Sequence, residues 1–256
     1  MSFQETNPTG RFSNRVDNYI RYRPDYPRAI IELMHNEMNI QENAVIADIG
    51  FGTGIFTKML LETDCMVYGV EPNEAMRDAG AKFLRDSANF KSINGTAENT
   101  NLPDESVDLI TAAQAFHWFD APRAKREFHR ILRPEGFVVL IWNERKLDAD
   151  AFSSDYERFL IEQGSDYENI RKSHAHEATI KKFFDNDFTV KSYSNYQTLD
   201  LEGFKGRNLS SSYLPTEQDA GFSAMVNKLE RIFAQHETNG KVKIFYDTKV
   251  FYRKFK

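Results

Sequence analysis

The segment Asp48-Ile49-Gly50-Phe51-Gly52-Thr53-Gly54 crowds three glycines between an apolar run, Ala44-Val45-Ile46-Ala47, and a helix-like run, Ile55–Leu61. A strand therefore delivers the chain to a tight turn, and a helix leaves it. Glycine carries no Cβ and takes positive φ at little cost, so such a turn lets backbone approach a ligand closely. Strand, glycine turn and helix together form the first βα turn of a nucleotide-type α/β sheet. A second apolar run, Met66–Val70, ends at Glu71. That acid lies about twenty residues beyond the turn, where a carboxylate reaches ribose hydroxyls in sheets of this kind.

Around the turn the pattern alternates between strand and helix from about residue 29 to 143. Residues 28–38 place Ile30, Ile31, Leu33, Met34 and Met38 near helical period. Asn73 can cap a helix with Ala75, Met76, Ala79 and Phe83 on one face. Phe90–Ile93 reads as a short strand, and Val107–Ala113 as a buried parallel one. Asp120 caps a helix with Pro122 in its first turn; Ala124, Phe128, Ile131 and Leu132 face inward. After Pro134-Glu135-Gly136, residues 137–142 form another central strand. Strands separated by helices imply parallel pairing with right-handed crossovers. Beyond Asn143 the pattern changes: residues 151–163 and 176–185 look helical, and 188–196 strand-like. An amphipathic helix spans about 218–235 with Gly240 at its end. The tail, residues 242–252, is expected to pair antiparallel at the end of the sheet.

A chain of 256 residues suffices for one large α/β domain or two small ones. Its net charge of −5 argues against bulk nucleic-acid or anionic-membrane binding. The basic residues Arg123, Lys125, Arg126, Arg130 and Arg133 are read as a solvated helix face. With 21 Phe and 11 Tyr, core and pocket should be aromatic-rich. A single cysteine, Cys65, allows no internal disulfide and fits a reducing cytoplasm. The N-terminus lacks a secretory pattern, and no apolar stretch approaches the ~20 residues that span a bilayer. His174 and His176, two apart, do not share a helical face, and no metal site is expected.

Two cofactor classes use such a turn. Nicotinamide enzymes bring a pyrophosphate to the helix N-terminus, with the third glycine three residues after the second. Here that position is Ile55, and Gly54 comes one residue early. Asp48, two residues before the first glycine, would repel a pyrophosphate but suits a cationic amino-acid moiety.

The longer motifs sharpen this reading. From about Phe12 to Asn143 the chain resembles the class I methyltransferases that use S-adenosylmethionine, in particular the small-molecule type 11 group. Residues 47–54 look like the first motif, with Asp48, Gly50, Gly52, Thr53 and Gly54 under the amino-acid part of the cofactor. Tyr68-Gly69-Val70-Glu71-Pro72-Asn73 looks like the second; the resemblance makes Glu71 the ribose acceptor, with Pro72 beside it and Met76 against the adenine. Asn94-Gly95-Thr96-Ala97-Glu98, followed by Leu102-Pro103 and Val107-Asp108, looks like the adenine-edge motif, although many relatives carry Asp where Thr96 stands. Ala97 and Glu98 are then the expected contacts. Residues 111–120, which include Gln114, Ala115 and His117-Trp118-Phe119, are similar to the end of strand four in a His-Trp subgroup. Tyr19, Tyr22-Arg23-Pro24 and Tyr26-Pro27 look like that subgroup's N-terminal cover, with Arg23 placed for the cofactor carboxylate. Phe51 is bulkier than the residue many relatives carry and is read as tolerated.

The resemblance implies one Rossmann-like domain over residues 1–256: a seven-stranded, mostly parallel sheet with helices on both faces and the last strand antiparallel. Residues 28–143 form the cofactor core, and 1–27, 144–186 and 200–238 form helical lid segments over a substrate pocket. The implied reaction is methyl transfer from S-adenosyl-L-methionine to a small-molecule acceptor at O, N or carboxylate. His117 is the candidate proton acceptor, and Arg23, Arg145 and Arg207 are candidates for holding an acidic acceptor. A nicotinamide oxidoreductase, which in its short-chain form needs a Tyr followed four residues later by Lys, and a non-catalytic cofactor-binding protein stay open as alternatives.

Overall fold

A computed structural model describes residues 16–168 and 177–255. His174 and His176, and the first part of the expected N-terminal cover, lie outside the described residues. Helix α1 (Val16–Tyr22) and helix α2 (Ala29–Met38) precede strand β1 (Val45–Ile49). Helix α3 (Ile55–Leu61), strand β2 (Met66–Val70), helix α4 (Glu74–Phe83), strand β3 (Phe90–Ile93) and strand β4 (Val107–Ala113) follow. A short 3-10 turn (Phe116–Trp118) leads into helix α5 (Ala121–Ile131) and strand β5 (Leu132–Arg145). Then come helix α6 (Ala151–Gln163), helix α7 (Glu177–Phe183), strand β6 (Thr189–Leu199), helix α8 (Leu201–Leu209), helix α9 (Phe222–His236) and strand β7 (Val242–Lys254).

The seven strands form one sheet in the order β3-β2-β1-β4-β5-β7-β6. All neighbours from β3 to β5 run parallel, and β7 runs antiparallel to both β5 and β6. The tail strand therefore has the expected direction but not the expected place: it lies inside the sheet, and β6 forms the edge. The reason is burial on both faces. Val250 and Tyr252 pack on one side of the sheet and Phe251 on the other. Strand β6 is mostly polar and leaves Val190 and Tyr196 exposed, which suits an edge.

Successive residues of the central strands feed two cores, as period-two side chains must. Ala47, Ile110, Val138 and Leu140 share one cluster with Phe128 and Ile131 of α5 and Phe183 of α7. Ile46, Leu109, Val139 and Ile141 share the other with Leu33 and Met34 of α2 and Phe56 and Leu60 of α3. A third cluster joins α6, α8 and α9 to Val242, Ile244 and Tyr246 at the start of β7. Because β7 is antiparallel, its start lies at the carboxyl edge of the parallel strands, so these helices cap that edge. Helix α1 is drawn onto the cap: a Cβ on Gly206 of α8 would fall 2.2 Å from the Tyr22 ring.

Asn73 and Asp120 cap α4 and α5 as read, accepting from the N–H groups of Met76 and Arg123. Phe83 does not face inward; it is 40% exposed, and Leu84 fills the core instead. Helix α9 begins at Phe222, later than the pattern implied, and Gly240 does not end it. The chain leaves the helix extended at Glu237, then Asn239 and Gly240 take φ of 54° and 74° in a tight turn into β7. The basic residues expected on one helix face are not all on α5, since Arg133 falls in β5, and three of them are not simply solvated. Lys125 pairs with Asp185, Arg130 with Glu127 and Asp104, and Arg133 with Asp108. Among the described residues, no helix is long and apolar enough to cross a membrane.

Candidate cofactor and acceptor site

The glycine turn sits where β1 ends between β2 and β4, the point at which strand order reverses. Open α/β sheets bind ligands in that crevice. Gly50, Gly52 and Gly54 all have positive φ, at 70°, 58° and 88°. Their surroundings differ. A Cβ on Gly50 would lie 2.6 Å from the Ala115 methyl, and one on Gly54 would lie 2.7 Å from Leu84. At Gly52 the nearest obstacle is the Met76 methyl at 3.4 Å, so this is the glycine with a free face. Phe51 is more than tolerated. It is buried against Phe90, and hypothetical Cβ atoms on Gly69 and Gly80 would stand 2.8 and 2.5 Å from its ring. Two further glycines thus make room for the bulky residue in the turn.

Two buried carboxylates lie under and beside the turn. Glu71 accepts the Gly52 N–H at 3.1 Å through one oxygen and the Asn73 N–H at 2.9 Å through the other. It is thereby fixed between the turn and the start of α4. Asp48 accepts the hydroxyls of Thr57 at 2.6 Å and Thr111 at 2.8 Å. Burial pushes its carboxyl up to about 6, against the two hydroxyl contacts, and the nearby Glu71 adds to the rise. Burial likewise raises Glu71. Among the described residues neither acid forms an ion pair; the nearby Arg77, held on the Glu71 and Pro72 carbonyls, favours the charged form of Glu71 without contacting its carboxylate. The Thr53 hydroxyl, also buried, has no hydrogen-bond partner among the described residues.

The remaining candidates form a rim. Met76 is buried with its methyl over Gly52. Pro72 is exposed and offers its carbonyl to Arg77. Thr96 closes a local turn, its hydroxyl accepting the N–H groups of Glu98 and Asn99, and buried Ala97 lies between. Glu98 accepts the Asp120 N–H at 2.7 Å, which ties this turn to the start of α5. Gln114 takes φ of 55° and donates to the Asn143 carbonyl at 3.1 Å. Ala115 abuts Gly50, and His117 stands in the 3-10 turn beside Trp118, with ring centroids 4.8 Å apart. The positions drawn from β1, β2, β4 and the segment after β3 thus gather at one edge of the sheet.

The cap supplies the other wall. The carbonyls of Tyr22 and Asp25 accept from Gln197, Asn143 and Asn195, which straps the N-terminal segment over the strand ends. Tyr26 packs edge-on to Phe56 at 5.0 Å and feels the charges of Asp48 and Arg23, which places it between turn and strap. Arg23 lies over the Tyr19 ring and donates to the Ser210 carbonyl at 3.0 Å. Arg145 is paired with Glu157 and donates to the Tyr167 hydroxyl at 2.6 Å. Arg207 is 7% exposed and sits among Tyr156, Tyr213 and Tyr246. The sequence reading named these arginines but missed the tyrosines around them. Those come from α6, β7 and the segment after α8, with no shared motif to signal their meeting.

A Tyr-x-x-x-Lys pair does occur at Tyr252 and Lys256. Tyr252 donates its hydroxyl to Glu37, at the end of the sheet opposite the glycine turn, and Lys256 lies outside the described residues. Tyr252 is therefore not positioned for chemistry in the crevice.

The methyltransferase domain family matches residues 47–140, the stretch that builds the turn, both carboxylates and the rim. A methyltransferase-like protein of Schizosaccharomyces pombe is 36% identical over 135 residues, which cover 52% of each chain. A Saccharomyces cerevisiae protein assigned as an S-adenosylmethionine-dependent methyltransferase is 30% identical over 124 residues, covering 46% of this chain and 42% of that one. The chain thus spans about half the length of the curated relatives it matches. A structure assigned as a type II methyltransferase from Anaeromyxobacter dehalogenans superimposes with a TM-score of 0.68 at 18% identity, over 91% of this chain and 98% of that one. It shares the fold across the cap as well as the core. Over residues 47–140, this chain is thus similar to the methyltransferase domain family.

Proposed function

We propose that this chain is an S-adenosyl-L-methionine-dependent methyltransferase acting on a small-molecule acceptor. The observation that carries the reading is the clasp of Glu71 on the Gly52 N–H, beside the glycine whose face is free. The residues present fit the cofactor. Two buried carboxylates without an ion-pair partner suit a ligand with an ammonium and a sulfonium, and the Thr53 hydroxyl has bonding capacity left. Asp48 and the turn would hold the amino-acid part, Glu71 the ribose, and Pro72, Met76, Thr96, Ala97 and Glu98 the adenine. Arg23, Gln114 and Ala115 would close the amino-acid end.

When bound, the cofactor supplies a methyl group on a positive sulfur; the acceptor's electron pair forms the new bond as the carbon–sulfur pair returns to sulfur. The chain's own task is to align the acceptor and exclude water, which can lower a barrier by roughly 7–11 kcal/mol. His117, at the carboxyl end of β4, would take the proton from a hydroxyl or amine acceptor. A carboxylate acceptor would need no base. Residues 28–143 serve as cofactor core, and 1–27, 144–186 and 200–238 as lid, where substrate choice resides in such folds. Buried Cys65 suits a reducing, cytoplasmic setting.

The test is formation of S-adenosylhomocysteine from methyl-labelled S-adenosylmethionine against a panel of small hydroxyl, amine and carboxylate compounds. Label should move to one acceptor class. For a hydroxyl or amine acceptor, His117→Ala should slow transfer by roughly 10²–10⁴-fold. Cofactor binding with no transfer to any acceptor would favour the non-catalytic alternative.

A further inference from the structure

Arg207 is buried, yet among the described residues no carboxylate lies within ion-pair distance of it. Its Nη1 donates to the Ser211 hydroxyl at 3.3 Å, Tyr246 supplies a further hydrogen bond, and its Nε has no partner among the described residues. The groups closest to its charge are the phenols of Tyr246, Tyr156 and Tyr213. Arg23 is close enough to repel it, and its Nε likewise lacks a partner among the described residues. Burying one guanidinium without a counter-charge is costly, and setting a second beside it adds to the cost. Neighbouring Arg145 shows the ordinary solution, a direct pair with Glu157. The two arginines lie on the cap and strap that close over the carboxyl edge, and Tyr26 lies near enough to Arg23 and to Asp48 to feel both charges. Their missing counter-ion therefore belongs at the same end of the sheet as the cofactor crevice.

We infer that Arg207, supported by Tyr213, binds a carboxylate of the acceptor, while Arg23 faces the cofactor's own carboxylate. The inference rests on the proposed methyltransferase reading and narrows its substrate to acidic small molecules. A guanidinium whose Nε–H has no partner among the described residues can offer it to a carboxylate. The Tyr156 and Tyr246 hydroxyls donate to Asn208 and Gln197, which leaves the Tyr213 hydroxyl as the donor that suits an anion without cancelling the arginine. The acid group acts as an anchor here and is held apart from any acceptor atom it does not itself supply.

The test measures thermal shift and calorimetric titration of the wild type and of Arg207→Gln, each alone and with S-adenosylhomocysteine. The probes are succinate, glutarate and benzoate, set against the matched amides succinamide, glutaramide and benzamide. We expect at least one carboxylate to stabilise the wild type while its amide does not, with a loss of at least tenfold in affinity in Arg207→Gln. S-adenosylhomocysteine should bind both proteins within about threefold, because its carboxylate is assigned to Arg23. Carboxylates that act no better than amides, or equally on Arg207→Gln, overturn the inference. A tenfold loss of S-adenosylhomocysteine affinity in Arg207→Gln also overturns it, by giving Arg207 to the cofactor. If the wild type fails to bind S-adenosylhomocysteine at all, the methyltransferase reading falls, and the carboxylate arm still reports on Arg207. Arg207→Lys, which keeps the charge, should recover part of the carboxylate response if the variant protein is folded.

Discussion

The crevice at the glycine turn and the cap above it carry opposite imbalances. Below, Asp48 and Glu71 are buried carboxylates with no ion pair among the described residues. Above, Arg23 and Arg207 are guanidiniums without a carboxylate partner among the described residues. Each imbalance is costly in the free protein and is relieved by a ligand of the other sign. A cofactor with an ammonium and a sulfonium answers the first, and carboxylates answer the second. The contrast teaches that charge left uncompensated in a folded chain marks the place of a ligand's charge more sharply than an open surface does.

The largest expected effect comes from comparing Arg145 with Arg207. Arg145 and Glu157 are a compensated pair, 10% and 11% exposed. Arg145→Met should therefore destabilise the protein by about 3–5 kcal/mol, because it strands a buried carboxylate. Arg207→Met should cost less than that in the absence of ligand, since it strands no charge, only hydrogen bonds to Ser211 and Tyr246. Urea unfolding of both variants checks this, and equal losses would break the distinction between the two arginines.

Asp48 gives the next effect. Its folded carboxyl titrates at about 6 and its unfolded one near 3.8. Between those values the folded form holds the extra proton, so stability falls as pH rises through the window and levels off above it. The difference amounts to about 3 kcal/mol. Asp48→Asn should lack this decline, so its stability relative to the wild type should grow from pH 4 to 7, as read by thermal unfolding across pH. Cofactor binding should show the opposite preference, weakening in the wild type as pH falls below 6 and the carboxylate is neutralised.

Smaller still is the packing of the turn. Gly80→Ala would bring a methyl within 2.5 Å of the Phe51 ring and 2.8 Å of the Gly52 carbonyl. A loss of about 1–3 kcal/mol is expected, with partial recovery in the Phe51→Leu, Gly80→Ala double variant. At the bottom of the scale, Arg28 and Glu62 pair on the surface at 81% and 45% exposure. Breaking that pair should cost no more than about 0.5 kcal/mol. A larger loss would show that pairing as such, rather than burial, governs the other differences.

The crevice was legible because its parts are local. Glycines, Asp48 and the end of β2 lie within one βαβ unit, and Asn73 and Asp120 announce their own caps. The placement of β7 was not legible, because a tail strand pairs with whatever register the finished sheet offers, and only burial on both faces marks it as internal. Phe83 and Leu84 differ by one position on a helix that ends there, so periodicity alone chose wrongly. A glycine shortly after an apolar helical pattern signals a helix end, but Gly240 follows Asn239, and Asn-Gly is a strong tight-turn signal. In the cap, Tyr156, Arg207, Tyr213 and Tyr246 converge from distant segments. Nothing in their spacing reports that convergence, and the absence of a counter-charge is visible only once they are folded together.

The central claim is that the turn and Glu71 hold a cationic nucleoside cofactor, and calorimetric titration with S-adenosylhomocysteine and S-adenosylmethionine tests it most directly. The account predicts one site on the wild type and roughly 100-fold weaker binding in a folded Glu71→Ala variant, the loss expected from two charge-assisted hydrogen bonds. No heat and no thermal shift at millimolar ligand, or equal affinity in Glu71→Ala, would contradict it.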